Sequence, residues 1–135
     1  MNYRKAEEKD IQPIVRLLND CRPYVLAHHD YLYWILCNYY QSSCFVCEAQ
    51  DRLIGFVSGL PSLDQMSVFI WQICVHPEYR RKGVACRLLQ LLHEVSELNG
   101  FKHLQLSISK ENSTSFRMFN RFADKNSLKM EFKKQ

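Results

Sequence analysis

Glycine and proline are scarce, four of each in 135 residues, which excludes collagen-like and low-complexity chains. No stretch approaches the roughly 18 consecutive apolar residues that a membrane-crossing helix needs. The first ten residues, MNYRKAEEKD, carry no apolar core of the kind a secretory signal has, so a cytoplasmic protein with no membrane partner is expected. The phosphate-binding signatures GxxxxGK[ST] and GxGxxG are both missing. Cys44 and Cys47 form a CxxC, but no second pair and no nearby histidine accompany it, so no metal is expected. Basic residues are in modest excess, 18 against 14 acidic, and no nucleic-acid-binding motif goes with them.

What is present is a globular composition, 47% hydrophobic and 13% aromatic. It fits a single domain over residues 1–135, since two domains would each be undersized. A chain of this length can bury a core without covalent staples. Cysteines 21, 37, 44, 47, 74 and 86 therefore read as free thiols, packed as small hydrophobes.

The patterning predicts the order β-α-α-β-β-β-α-β-α-β, a mixed α/β layer. Tyr3 to Lys5 suits a short strand. Asp10 is placed to cap a helix carrying Ile11, Ile14, Val15 and Leu18 on one face, with Pro13 tolerable in its first turn. Asp30 opens a second helix, Tyr31 to Tyr40, apolar and aromatic nearly all round. Three strand-like runs follow: Ser43 to Ala49, Leu53 to Leu60 and Val68 to Val75, with Asp51 and Arg52 in the first turn. Helical spacing returns from Gly83, through Val84, Leu88, Leu91, Leu92, Val95 and Leu98, and Asn99-Gly100 closes it. Leu104 to Ile108 reads as a strand, Asn112 to Ala123 as a helix, and Leu128 to Phe132 as a last strand.

The chemistry concentrates in Val75 to Ala85, VHPEYRRKGVA. A buried strand ends, a short loop holds three cations and a glycine, and a helix begins at once. A helix N-terminus presents unbonded backbone N–H groups and a partial positive charge. Gly83 permits close approach of backbone to a ligand. The segment suits a pyrophosphate group, and the bland alternative is an exposed basic turn before an ordinary helix.

Arg80-x-x-Gly83-x-Ala85 resembles the acetyl-CoA signature Q/R-x-x-G-x-G/A of the GNAT acetyltransferase superfamily. Asn112, Ser115 and Phe119 resemble that family's N-x-x-A-x-x-x-Y on the following helix, and the order of elements is similar over nearly the whole chain. Four segments are similar to L-2,4-diaminobutyrate acetyltransferase of ectoine synthesis. They are Tyr31-x-Tyr33-x-x-Leu36-Cys37, Cys44-Phe45-Val46, Ile54 to Ser58 and Phe69 to Val75. In that family the last of these strands reads V-W-Q-V-A-V. The chain departs from it at Leu26 to Asp30, where members have D-L-N-S-P, and at Leu104 to Ser107, where members have L-E-T-T. Members also continue past the last helix through further strands.

The resemblance implies a GNAT fold, a central mixed twisted sheet flanked by about four helices, and an N-acetyltransferase using acetyl-CoA as co-substrate. Two parallel strands would splay to admit the pantetheine arm, paired with the backbone of Ile73, Cys74 and Val75. The Cys74 N–H would polarise the thioester carbonyl. Arg80, Arg81, Lys82, Gly83, Val84, Ala85 and Cys86 would hold the pyrophosphate, and Asn112, Ser115 and Phe119 would line the coenzyme. Asp30, Tyr31, Tyr33, Trp71 and Gln72 would form the acceptor site, with one tyrosine of the two lining it. Trp71 and Gln72, as strand neighbours, would face opposite sides. An amine must lose a proton to attack, and Glu48 and Tyr31 lead the candidates to take it, ahead of Asp30, Tyr33, His28, His29 and His76. Phe119 stands where most members have the tyrosine that protonates the leaving thiolate. The expected partner is a small primary amine, 2,4-diaminobutyrate foremost. A polyamine, an aminoglycoside or a protein N-terminus is the alternative, and a non-catalytic acyl-CoA-binding module is the rival of another class. A homodimer through the final strand is a further expectation.

Overall fold

Three consecutive runs rich in β-branched and aromatic residues become neighbouring strands, and two further strands complete one sheet. In the computed structural model residues 1–22, 25, 27–109 and 111–128 are described. The elements are β1 (Asn2–Lys5), α1 (Ile11–Asp20), α2 (Asp30–Tyr39), β2 (Cys44–Ala49), β3 (Arg52–Pro61), β4 (Ser67–Val75), α3 (Val84–Leu98), β5 (His103–Gln105) and α4 (Ser113–Lys125). The strands lie in chain order, β1-β2-β3-β4-β5. The first four pair antiparallel, and β5 runs parallel to β4. This is an α/β fold with a mixed sheet, as the patterning predicts. Of the strand expected at Leu128 to Phe132, Leu128 is in no strand and its N–H bonds Ala123 O at 2.8 Å, while 129–132 lie outside the described residues.

Alternation of side chains divides the core in two. Val46, Phe56 and Cys74 point to one face, where Ile14, Leu17 and Leu18 of α1 and Tyr33, Leu36 and Cys37 of α2 cover them. Phe45, Ile54, Val57 and Ile70 point to the other, against Leu88, Leu89 and Leu92 of α3 and Phe119 and Phe122 of α4. All six cysteines are free and only Cys86 is not fully buried. Among the described residues no helix is long and apolar enough to cross a membrane.

Several local expectations shift. α2 is buried on one side only, so along its outer face Tyr31 stacks on Trp34, and Tyr39 meets the Trp34 ring edge-on. Its cap is His29, whose Nδ1 accepts from the Tyr31 N–H, and Asp30 follows as the first helical residue. The β2–β3 turn centres on Gln50 and Asp51, one residue earlier than expected, both with left-handed backbone. At the end of α3, Gly100 adopts φ 82°, and the N–H groups of Gly100 and Phe101 bond Glu97 O and Ser96 O, the glycine-closed cap that the sequence predicts.

Asp10 does not cap α1. Its carboxylate, nearly buried, instead takes two hydrogen bonds from the Arg4 guanidinium at 2.7 and 2.8 Å and one from the Glu7 N–H at 2.8 Å. Arg4 also bonds Glu48 at 2.6 Å and so ties β1, β2 and the entry to α1 together. Burial alone would raise the Asp10 carboxyl, but the bonds from Arg4 and Glu7 outweigh it and hold it below its ordinary value. α3 packs on β3 at a glycine: a Cβ on Gly55 would stand 2.9 Å from Val84 Cγ1.

Two predictions follow from these contacts. Asp10→Asn lowers the unfolding free energy by about 3 kcal/mol at neutral pH, as expected when one partner of a buried pair is removed. A carboxyl depressed by folding stabilises above its unfolded value of ~3.9 and loses that contribution as pH falls through the lower folded value. Urea melts of wild type and variant therefore converge below about pH 4. Gly55→Ala costs about 2 kcal/mol in the same assay, because Val84 has to move to make room.

Candidate active site

The site is built on the unfinished edge of β4. β4 pairs with β3 along most of its length, from Val68 opposite Pro61 to Val75 opposite Gly55. Its pairing with β5 covers only Ser67, Val68 and Phe69. In an antiparallel ladder, residues alternate between pairs that exchange both hydrogen bonds and pairs that exchange none. The His76 N–H bonds Ile54 O at 2.8 Å. By alternation, Cys74 and Gln72 direct their backbone groups at β3, while Ile73 and Val75 direct theirs away from it, towards the gap left by β5. The Cys74 N–H, expected to face the ligand, is therefore committed to the ladder, and the N–H groups of Ile73 and Val75 face the gap instead. The position of Val75 O agrees with this: it receives Arg80 Nε at 3.3 Å and Cys21 Sγ at 3.5 Å.

A bulge lies at the head of the gap. Ser58 is opposite Gln72 and Gly59 opposite Ile70, which leaves Trp71 as an extra residue on β4. Gly59 is a sequence signal for it, since an isolated glycine inside a strand often marks a bulge. The bulge breaks the alternation, so Trp71 and Gln72 both face α2, not opposite sides as expected. Trp71 stands 6.1 Å from the Tyr33 ring, and Gln72 Oε1 accepts from Tyr33 Oη at 3.0 Å. The strand expected at Leu104 to Ile108 is shortened to His103–Gln105, consistent with β4 bending away at this point.

At the other end of the gap, the loop before α3 turns sharply. Arg81 and Gly83 both have left-handed backbone, at φ 63° and 81°. Gly83 is the N-cap and supplies no side-chain cap, and no acidic residue stands in the first turn. The first-turn N–H groups of Val84, Ala85 and Cys86 have no acceptor within the helix. This is the donor set a diphosphate requires, with Arg80, Arg81 and Lys82 exposed beside it. Lys82 Nζ lies 5.4 Å from the centre of the Tyr79 ring.

On the α2 side, the His28 ring lies tilted against Trp71, 5.1 Å between centroids, and the His28 backbone N–H bonds Tyr33 Oη at 3.0 Å. His28, Tyr33, Trp71 and Gln72 thus form one group beside the bulge. Burial pushes the Tyr33 hydroxyl above its ordinary value, so it stays protonated and donates to Gln72. Of the two tyrosines, Tyr33 belongs to this group, while Tyr31 is 62% exposed and stacks outward on Trp34.

Other candidates lie elsewhere. Glu48 is held by Arg4 on the wall of an open cleft of about 430 Å³ shared with Asp10, Asp20 and His76. That cleft opens on the α1 side at the opposite end of the strands from the bulge. Asp30 accepts from Gln12 at 2.6 Å. His76 accepts from the Glu78 N–H at 3.1 Å and lies 3.7 Å from Asp20. Asn112 caps α4 by accepting from the Ser115 N–H, and Phe119 is buried with α3 and the sheet.

The sequence and the fold have counterparts among known proteins. A model of the acetyltransferase (GNAT) family matches residues 11–123. The chain is 31% identical over 118 residues to the L-2,4-diaminobutyric acid acetyltransferase of Vibrio cholerae, covering 87% of this chain and 68% of that protein. The Halomonas elongata protein of the same name is 31% identical over 124 residues, covering 90% and 64%. The chain thus spans about two thirds of the length of these relatives. Its fold superposes on the diaminobutyrate acetyltransferase EctA of Paenibacillus lautus with a TM-score of 0.87, at 27% identity, covering 93% of this chain and 76% of that one. That structure holds L-2,4-diaminobutyric acid and coenzyme A. The splayed strands, the uncapped helix behind an Arg-x-x-Gly loop and the match along most of the chain have one reading: this protein belongs to the GNAT acetyltransferase family.

Proposed function

We propose that this protein transfers acetyl from acetyl-CoA directly to a primary amine of a small substrate, with L-2,4-diaminobutyrate the leading acceptor. The observation that carries the reading is the open edge of β4. Two backbone N–H groups, of Ile73 and Val75, face a gap that ends at an uncapped helix flanked by cations. The first-turn N–H groups of α3 would hold the diphosphate. The gap would receive the pantetheine arm, whose amides pair with β4 as a strand would. Ile73, not Cys74, would direct its N–H at the thioester oxygen as charge develops there, an interaction commonly worth ~3 kcal/mol.

The acceptor would approach from the α2 side, over Trp71 and beside Gln72. Its amine attacks the thioester carbonyl carbon, the C–S bond breaks, and the amine proton must leave. Glu48 is engaged by Arg4, and Tyr31 stacks outward on Trp34, so neither belongs to this group. His28 is the imidazole in contact with Trp71, and it would take the proton directly or through water. Phe119 offers no proton to the departing sulfur, so water would supply it. Support for diaminobutyrate is the ~30% identity to enzymes of that name and the ligand in the Paenibacillus structure. The changed segment before α2 and the buried Phe119 favour a second reading, an acyl-CoA-binding module without turnover.

Free-thiol release from acetyl-CoA, screened over an amine panel, separates these readings. Selective release with L-2,4-diaminobutyrate is expected. Release only with a polyamine or aminoglycoside would keep the transfer and sink the acceptor. Tight acetyl-CoA binding with no release from any amine would establish the second reading. With the active amine, His28→Gln is expected to lower kcat by about 100-fold with little change in acetyl-CoA affinity. An unchanged kcat would rule His28 out.

A further inference from the structure

The gap edge of β4 carries a pair of thiols that acetyl transfer does not use. Cys21 closes α1, 1% exposed, and its Sγ lies 3.5 Å from Val75 O. Cys74, the residue before Val75, is 6% exposed and points to the same face of the sheet, into the same cluster as Cys21. The two side chains thus lie together beside Val75 O, where the Cys21 sulfur already sits. Arg80 reaches the same carbonyl at 3.3 Å, which sets a cation beside the sulfurs. None of the other four cysteines combines a thiol partner with a neighbouring cation among the interactions of the described residues.

We propose that Cys21 and Cys74 are a redox-responsive pair that closes to a disulfide under peroxide and, once closed, weakens acetyl-CoA binding. The chemistry is asymmetric. The neighbouring Cys74 thiol and the nearby Arg80 charge hold the Cys21 thiol below its ordinary value. The neighbouring Cys21 thiol, together with burial, holds the Cys74 thiol well above it. The Cys21 sulfur lies against Val75 O, the carbonyl that Arg80 also bonds, so Cys21 is the nucleophile and Cys74 the resolving thiol. The Cys21 thiolate attacks one oxygen of hydrogen peroxide, the O–O bond breaks, and a sulfenic acid and water result. The Cys74 sulfur then displaces a second water from that sulfenic sulfur. Two thiols are oxidised by two electrons, and one peroxide is reduced to two waters. The new bond draws the end of α1 onto β4 at the residue between Ile73 and Val75. It also disturbs the carbonyl that Arg80 holds, and with it the path from the gap to the diphosphate loop. The effect on the coenzyme rests on the function proposed above, whereas the disulfide itself does not.

The test treats the full reduced chain with hydrogen peroxide, alkylates the remaining thiols and maps the peptides by mass spectrometry. Acetyl-CoA affinity is measured before treatment, after it and after dithiothreitol. The expected result is a Cys21–Cys74 linked peptide, with affinity about tenfold weaker and restored by reductant. Cys21→Ser should form no such link and keep its affinity through the treatment. If that variant does not fold by circular dichroism, Cys74→Ala takes its place for the mapping. Oxidation of other cysteines with no Cys21–Cys74 peptide overturns the proposal, and so does a linked peptide with unchanged affinity. Reduced protein with no affinity for acetyl-CoA would defeat the proposed function, and the mapping would still decide the thiol pair.

Discussion

A strand inside a sheet has hydrogen-bonding groups on both edges, and buried backbone groups left unbonded are costly. β4 satisfies its β3 edge along most of its length and its β5 edge over three residues only. Everything else about the site follows from the remainder of that edge. It fixes which N–H groups a ligand can reach, because alternation leaves Ile73 and Val75 no choice of side. It sets the length of ligand that can dock, from the bulge at Trp71 to the loop before α3. It also explains why Arg80 and Cys21 converge on Val75 O, an acceptor that no neighbouring strand supplies with a donor.

The bulge has a second effect, on the opposite face. One extra residue turns two consecutive side chains, Trp71 and Gln72, towards α2. A polar amide then lies buried under a helix and needs a partner. Tyr33 Oη provides it, and the same hydroxyl accepts from the His28 N–H. The segment leading into α2 is thereby pinned to the centre of β4 by one phenol. The group beside α2 and the break in the β4 pairing meet in this sense at a single irregularity.

The broad architecture was legible in the sequence, because amphipathic periods and a charged glycine loop are local signals. Val84, Leu88 and Leu92 mark the buried stripe of α3, and Asn99-Gly100 marks its end. Arg80, Gly83 and Ala85 identified the loop without any knowledge of tertiary contacts. What could not be read there depends on pairing. Which side the Cys74 N–H faces is decided by the register against β3, and registers are not written in one strand alone. Trp71 and Gln72 were assigned opposite faces by a rule that a bulge suspends. That Glu48, one of several candidate bases, is bonded by the Arg4 guanidinium, far off in sequence, is likewise a matter of pairing. Asp10 had the look of a helix cap, and the same arginine drew it away.

Strand order that copies chain order has a consequence for how this sheet assembles. The two hairpins β2–β3 and β3–β4 join near neighbours in sequence, so the entropy of closing their loops is small. β5 reaches its place only after the whole of α3 has crossed the sheet, and it then gains only a short ladder. The β4–β5 seam beside the gap is thus the part of the sheet with little pairing of its own. In a folding experiment the β2–β4 meander belongs to the early, cooperative part, and the β4–β5 seam is the last to close and the first to open. A ligand laid along that seam would act as a missing strand, and would lend the region the rigidity its own residues do not provide.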